Sequence, residues 1–280
     1  MTPTNGVYEN VPEDVYHGWD LCSYSRLKVL ATKTPAHLRM VLDSHRETPA
    51  MRVGTALHRL VLEGREALES AFAVGGPINE KTGKPYGADT QRFAMWEAEQ
   101  GKPVLSLDQM HQVESMAAAI GRSTAATGLL AQCPRRELSM IGSLHGQRVK
   151  ARGDAYGDGM LLDIKTTGRG AGRADFERTI GSLGYGLQSA VYANVAWDVG
   201  LPVDDFVFIV VESEPPYDVG VYRIDDEVID LYEQALPRLL ERYADCVSRN
   251  HWPGTDDEVQ RVGIPLWLKK ALQEQGDIYQ

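Results

Sequence analysis

Cysteine is scarce: the 280 residues hold three, Cys22, Cys133 and Cys246, far apart and without a CxxC pair. That supply excludes a disulfide framework, a four-cysteine zinc site and an iron–sulfur cluster, so the thiols are expected to be reduced and packed. No stretch approaches the roughly 20 apolar residues of a membrane span. The opening "MTPTNGVYENVPEDVYHGWD" lacks the basic and apolar regions of a signal peptide. The expectation is a cytoplasmic protein with no membrane partner. Internal repeats and low-complexity segments are missing too. Positive charge is also short, since 29 Lys and Arg face 39 Asp and Glu for a formal net charge of −10. Such a chain does not coat nucleic acid through bulk charge.

What is present is an ordinary globular composition, 43% hydrophobic, enough to bury a sizeable core. The charge is unevenly spread. Between Cys22 and Leu62 the bases Arg26, Lys28, Lys33, Arg39, Arg46, Arg52 and Arg59 face only Asp43 and Glu47, a local excess of +5. Between Leu201 and Asp245 acids dominate, in runs such as "VDD", "ESE" and "IDDE". The asymmetry is compatible with a polyanion bound on one side, and equally with two solvated helical faces that differ.

Residues 21–48 read as helical, with Ser23 or Ser25 as N-cap and Pro35 dividing the stretch in two. "MRVGTALHRLVLEG" (51–64) has Val53, Leu57, Leu60 and Val61 at helical spacing and Gly64 as its stop. Residues 74–90, rich in Gly, Pro and charge, read as a mobile loop. Helices are expected at 89–100 and 107–130, a strand and a hairpin over 137–166, and a helical stretch at 173–198. Strands follow in "FVFIVVES" (206–213) and "YDVGVYRI", then a long helix at 225–249. This order predicts an α/β fold of one domain, a mixed sheet flanked by helices. Residues 1–20 read as an N-terminal extension, 21–130 as a mainly helical part, 137–254 as the core and 255–280 as a tail.

The stretch "RGDAYGDGMLLDIKTT" (152–167) carries the chemistry. With Asp158 and Gly159 as a two-residue hairpin turn, Gly157 pairs Met160 and the register puts Asp154 opposite Asp163. Lys165 lies two residues on and shares Asp163's face, while Met160, Leu162 and Ile164 point into the core. Two directly opposed carboxylates repel each other unless a cation sits between them. A hard divalent ion such as Mg²⁺ takes carboxylate oxygens, and an adjacent lysine can orient or help deprotonate a water and stabilise charge on a phosphate. The same Asp154, Asp163, Lys165 and Arg152 would also make a salt-bridged outer face, and D-x-K is a common tripeptide.

Further segments give the pattern a family. "SYSRLKVL", "GTALHRLVLE", "RGDAY", "LLDIKTT" and "YGLQSAVYA" together resemble the RecE-type exonucleases of phages and prophages, within the PD-(D/E)XK superfamily that includes lambda exonuclease and the RecB nuclease domain. The resemblance runs in order from about residue 14 to "HWPG" at 251–254. It implies a PD-(D/E)XK restriction-endonuclease-like core. His58 matches the family's metal-binding histidine, Asp154 its first acid, Asp163 and Lys165 its D-x-K, and Gln188 and Tyr192 its Q-x-x-x-Y. The resemblance adds the backbone carbonyl of Ile164 to the implied metal ligands. Gln188 and Tyr192 are i,i+4 and share a helix face. A histidine in an apolar helix is otherwise a core residue, and Gln and Tyr at this spacing otherwise pack. Glu137 opens the strand before the hairpin and is a candidate metal ligand or neighbour of one. Ser23, Ser25 and Arg26 could hold a phosphate or form an ordinary N-cap. Lys81 and Lys84 could touch DNA near the entry to the site, although "TGKP" is no P-loop.

The resemblance implies a Mg²⁺-dependent exodeoxyribonuclease, with Mn²⁺ as substitute, degrading one strand of linear double-stranded DNA from a 5′ end to leave 3′ single strands for recombination. Asp154, Asp163, Lys165 and Gln188 are its implied catalytic group. It also implies a homo-oligomeric ring, a single-strand annealing protein as partner, and the cytoplasm of a bacterial host. Rival readings are a Cas4-like or structure-specific endonuclease, and a noncatalytic DNA-end-binding recombination scaffold.

Overall fold

The first residues form the edge of the main sheet. In the computed structural model, which describes residues 2–43, 47–87 and 89–277, strand β1 (Gly6–Tyr8) pairs antiparallel with a central strand at Val7↔Met140. Arg46, one of the seven bases of the basic segment, lies outside the described residues. Helix α1 (Glu13–Gly18) and the two-residue β2 (Cys22–Ser23) lead into α2 (Tyr24–Thr32) and α3 (Pro35–Asp43), which part just before Pro35. Pro49 starts α4 (Pro49–His58), and the Thr48 hydroxyl caps it by accepting from Met51 N at 3.2 Å. The turn after it, Arg59–Glu63, is π-helical and ends at Gly64, whose φ of 91° needs glycine.

Next come α5 (Arg65–Ala71), β3 (Ala73–Val74), α6 (Gln91–Gln100), β4 (Val104–Leu105), α7 (Leu107–Arg122) and α8 (Thr124–Gln132). The stretch expected as one helix over 107–130 breaks at Ser123, whose hydroxyl accepts from Ala126 N and caps the second piece. The loop after β3 folds on itself, with Asn79 N donating to Lys84 O and Tyr86 N to Pro77 O. Ala88 lies outside the described residues.

The core strands are β5 (Arg135–Leu144), β6 (Gln147–Gly157) and β7 (Met160–Thr167). Asp158 and Gly159 take φ of 48° and 73°, the left-handed pair that a two-residue hairpin requires. The pairs Gly157↔Met160 and Ala155↔Leu162 follow, the register the turn dictates. Helices α9 (Arg173–Leu183) and α10 (Tyr185–Asp198), expected as one, are split by Gly184 at φ 73°. They cross over to β8 (Asp205–Glu212), parallel to β7, and β9 (Val219–Arg223) closes the far edge. The strand order is β1-β5-β6-β7-β8-β9, with β2 beside β6. Helices α11 (Asp226–Arg249) and α12 (Leu266–Asp277) end the described chain, so the expected tail carries a helix.

Both faces of this mixed sheet are covered. Strand β8 alternates Phe206, Phe208 and Val210 toward a core shared with α2, α10 and α11, and Val207, Ile209 and Val211 toward a core shared with α4 and α7. The alternation on β7 sends Leu161 into the first core and Leu162 and Ile164 into the second, so Asp163 and Lys165 face the α2–α10 side. All three cysteines are free and buried, as expected. Among the described residues no helix is long and apolar enough to cross a membrane.

Candidate active site

The strand register aligns three carboxylates. Glu137 falls between the β5–β6 pairs Arg136↔Ala155 and Leu138↔Gly153, which sets it opposite Asp154. Asp154 in turn follows the last β6–β7 pair, Ala155↔Leu162, which sets it opposite Asp163. Both ladders are interrupted at this level. Glu137 takes φ 48°, out of strand geometry, and the Asp154 carboxylate accepts from Ile164 N at 2.6 Å. One acid therefore stands on each of three neighbouring strands.

Burial rules out a solvated salt-bridged face: Asp163 is 2% exposed and Asp154 6%. The cost appears in the titration of the row. Burial, reinforced by Asp163, pushes the Asp154 carboxyl well above the usual carboxylate range. Burial and then Asp154 raise Glu137 to about 7.

His58 reaches the row from the end of α4, where the helix gives way to the π turn. Its Nε2 lies 2.9 Å from Ile164 O and its Nδ1 3.5 Å from Asp154 Oδ1. Burial lowers its pKa. A neutral ring that donates Nε2–H to Ile164 O leaves a lone pair on Nδ1 aimed at a carboxylate oxygen, an arrangement that a cation completes. His58, Glu137 and Asp154 bring one ligand atom each within 4.8 Å of one another. An imidazole nitrogen with two carboxylates fits a divalent cation.

The remaining expected ligands sit differently. Asp163 Oδ1 accepts from Gln188 Nε2 at 2.5 Å, and Asp163 Oδ2 faces Lys165 Nζ at 2.5 Å. The Ile164 carbonyl orients His58. Glu137, the lesser candidate in sequence, is thus the carboxylate that joins His58 and Asp154. Burial opposes the charge on Lys165, yet Asp163 and Asp154 together hold its pKa above the usual lysine range. The two carboxylates therefore favour the charged form of Lys165. Gln188 Oε1 is buried without a partner among the described residues.

A cavity of about 200 Å³ opens beside the row, lined by His58, Glu137, Asp154 and Tyr192 together with Arg59 and Arg152. Tyr192 meets Tyr24 and Phe206 edge-on at 6.3 and 6.2 Å. Sequence reasoning gave Arg152 only a salt-bridging role. Its guanidinium lies over the Tyr16 ring at 4.2 Å, donates to Ser139 Oγ and Val11 O at 2.9 Å each, and approaches Glu137 Oε2 at 3.8 Å. Buried Lys150 donates to the carbonyls of Tyr16 at 2.8 Å and Trp19 at 2.7 Å. These two cations fasten α1 over the cavity, so the expected N-terminal extension forms part of the site wall. Nothing in the local pattern around Tyr16 signals this.

The other DNA candidates are apart from the row or already engaged. Arg26 donates to Tyr243 Oη and Asp20 Oδ1, both at 2.8 Å. Ser23 and Ser25 share a hydroxyl hydrogen bond of 2.9 Å. Lys81 and Lys84 are exposed on the loop after β3.

The crystal structure of a "Putative exonuclease" from Eubacterium rectale superposes with a TM-score of 0.61 at 16% identity, covering 94% of this chain and 99% of that one, a likeness of fold. LHK-Exo in complex with dAMP is a more distant match, at TM-score 0.32 and 13% identity over 82% of this chain and 91% of that one. No curated protein matches the chain in sequence. The family model described as "PDDEXK-like domain of unknown function (DUF3799)" matches residues 23–262, from the start of the basic helix to beyond α11, and the chain belongs to that family.

Proposed function

We propose that the chain is a divalent-metal-dependent exodeoxyribonuclease that acts on the ends of linear double-stranded DNA. The observation that supports it most is the buried row of Glu137, Asp154 and Asp163, with His58 against one side and charged Lys165 against the other. His58, Glu137 and Asp154 would hold the metal, Mg²⁺ or Mn²⁺, which when bound supplies Lewis acidity toward a phosphoryl oxygen and an acidified water. Lys165 supplies fixed positive charge where a pentacovalent phosphate gathers negative charge, and it can position the attacking water by donating to it. Gln188 holds Asp163, and through it the orientation of Lys165. Tyr192 lines the cavity that would take the strand.

Direction from the 5′ end, 3′ single-strand products for recombination, a homo-oligomeric ring, a single-strand annealing partner and the cytoplasm of a bacterial host are proposed from the RecE-type resemblance. Ser23 and Ser25 at the start of the basic helix α2, and Lys84 on the loop after β3, remain proposed DNA contacts from their positions and the local positive charge.

The test is digestion of a linear duplex labelled at its 5′ or 3′ end, beside a covalently closed circle, with Mg²⁺ or with EDTA. Metal-dependent loss of the linear form with the circle spared supports the proposal, and the label lost first fixes the direction. Cutting of the circle would assign an endonuclease. Retained DNA binding with no digestion under Mg²⁺ or Mn²⁺ would assign a scaffold.

A further inference from the structure

Helix α2 presents one face to the active site and another to α11, and its cations divide accordingly. Tyr24 and Lys28 are i,i+4 and share a face. Tyr24 donates its hydroxyl to Leu183 O at 3.0 Å and packs on Tyr192. Lys28 lies along the junction between α9 and α10, where a Cβ on Gly184 would meet Lys28 Cγ at 3.6 Å. Arg26 is on a different face, with Asp20 and Tyr243.

Lys28 has no carboxylate within ion-pairing distance among the described residues. Burial lowers its pKa, and the positive charge of Lys165 lowers it further, so this half-buried ammonium stands where another cation repels it. Lys165 keeps Asp163 at 2.5 Å, whereas the Lys28 ammonium has only the face of the Tyr24 ring, 5.9 Å away, so no carboxylate answers its charge. A second cavity, of about 160 Å³, opens beside Lys165 and is bounded by Thr166, Thr167, Arg169, Leu183 and Tyr185. Leu183 and Tyr185 flank the Gly184 that Lys28 covers. Arg169 is exposed and likewise has no carboxylate partner among the described residues. Among the described residues the lining has two cations, Lys165 and Arg169, and threonine hydroxyls but no carboxylate, and Lys28 stands just outside it, over Gly184.

We propose that Arg169, from the lining of this cavity, and Lys28, from beside it at Gly184, hold a backbone phosphate of the substrate strand next to the phosphodiester that is cleaved. Phosphate has the charge and the acceptor oxygens that two cations and two hydroxyls can satisfy together. The inference rests on the nuclease reading. It assigns the function of the basic helix to Lys28, with Arg26 left as its anchor to α11.

The test measures binding of a fluorescein-labelled linear duplex by anisotropy in EDTA, across about 50 to 200 mM NaCl. Phosphate contacts release counterions, so the double variant Lys28→Gln, Arg169→Gln should flatten the slope of log K against log salt by about 0.9. It should also weaken binding about tenfold at the low-salt end. KM should rise by a similar factor with kcat changed less. Lys28→Arg, which keeps the charge, should retain the wild-type slope. An unchanged slope in the double variant, with wild type binding and cutting DNA, would overturn the inference and leave the nuclease reading standing. A wild-type protein that neither binds nor cuts DNA would overturn both.

Discussion

Replacing Glu137 with Gln should stabilise the metal-free protein while removing its response to metal. The Glu137 side chain is 23% exposed, and its best-placed cation, Arg152, stands 3.8 Å away and is occupied with Ser139, Val11 and the Tyr16 ring. Burial and then Asp154 hold the carboxyl near 7, where an ordinary glutamate titrates at 4.5. Between those values the folded state binds the proton that the unfolded state has released. Stability therefore falls as pH rises through this window, by about 3 kcal/mol once both states are ionised. The amide carries no charge and escapes that loss, although it still loses part of its hydration, so about half the figure is expected as net gain. Near pH 8 that is a rise in Tm of about 3–5 °C without metal. Wild type should gain about 3 kcal/mol from Mg²⁺ at about a hundred times its Kd, and the variant much less. Thermal melts with EDTA and with a Mg²⁺ series, at about pH 6 and pH 8, measure both quantities. For wild type the metal-induced gain should be larger at the higher pH, where no proton competes. A variant that melts lower without metal yet keeps the full Mg²⁺ response would refute the reasoning and make Glu137 a structural partner of Arg152.

Breaking the buried Asp163–Lys165 pair from one side should be costly for the fold as well as for activity. Lys165→Met should lose about 3 kcal/mol of stability by urea titration, because Asp163 is left charged without a cation. The double variant Asp163→Asn, Lys165→Met should recover most of that loss while cleavage stays at least about a hundredfold down; recovery of activity with stability would remove Lys165 from the catalytic group. His58→Ala should raise the Mg²⁺ concentration for half-maximal cleavage about tenfold or more, and an unchanged titration would return His58 to a packing role. Lys150→Met should loosen α1, with about 1–3 kcal/mol lost as the Tyr16 and Trp19 carbonyls lose their donor. Faster hydrogen exchange over residues 12–20 is the expected signature, and unchanged protection there would argue that the packing of Tyr16 and Trp19 on Ile141 alone fastens the segment.

The centre of the site was legible because it is local. A left-handed Asp158-Gly159 turn fixes the hairpin, the hairpin fixes the pairing, and the period of two puts Asp154, Asp163 and Lys165 on one face. No tertiary contact is needed for that chain of reasoning. The Q-x-x-x-Y spacing likewise puts Gln188 and Tyr192 together on one turn of α10. Helix breaks that depend on a single backbone angle, such as Gly184 at φ 73°, were less visible, because both flanking segments carry a helical apolar pattern.

The roles that depend on who meets whom were decided by the tertiary structure. Glu137 is on the neighbouring strand to Asp154, but only the packed sheet shows that its φ of 48° breaks the ladder there and that its carboxylate joins His58. His58 meets Ile164 across 106 residues of sequence, a closure that no periodicity encodes. In the basic segment Arg26 and Lys28 look alike as letters, and the fold separates them by giving one an aspartate and a tyrosine and the other the neighbourhood of a second lysine. Turn chemistry and side-chain alternation act between residues a few positions apart and can be read along the chain. Burial and charge pairing act through space, between segments whose proximity exists only once the sheet and its two helical layers have assembled.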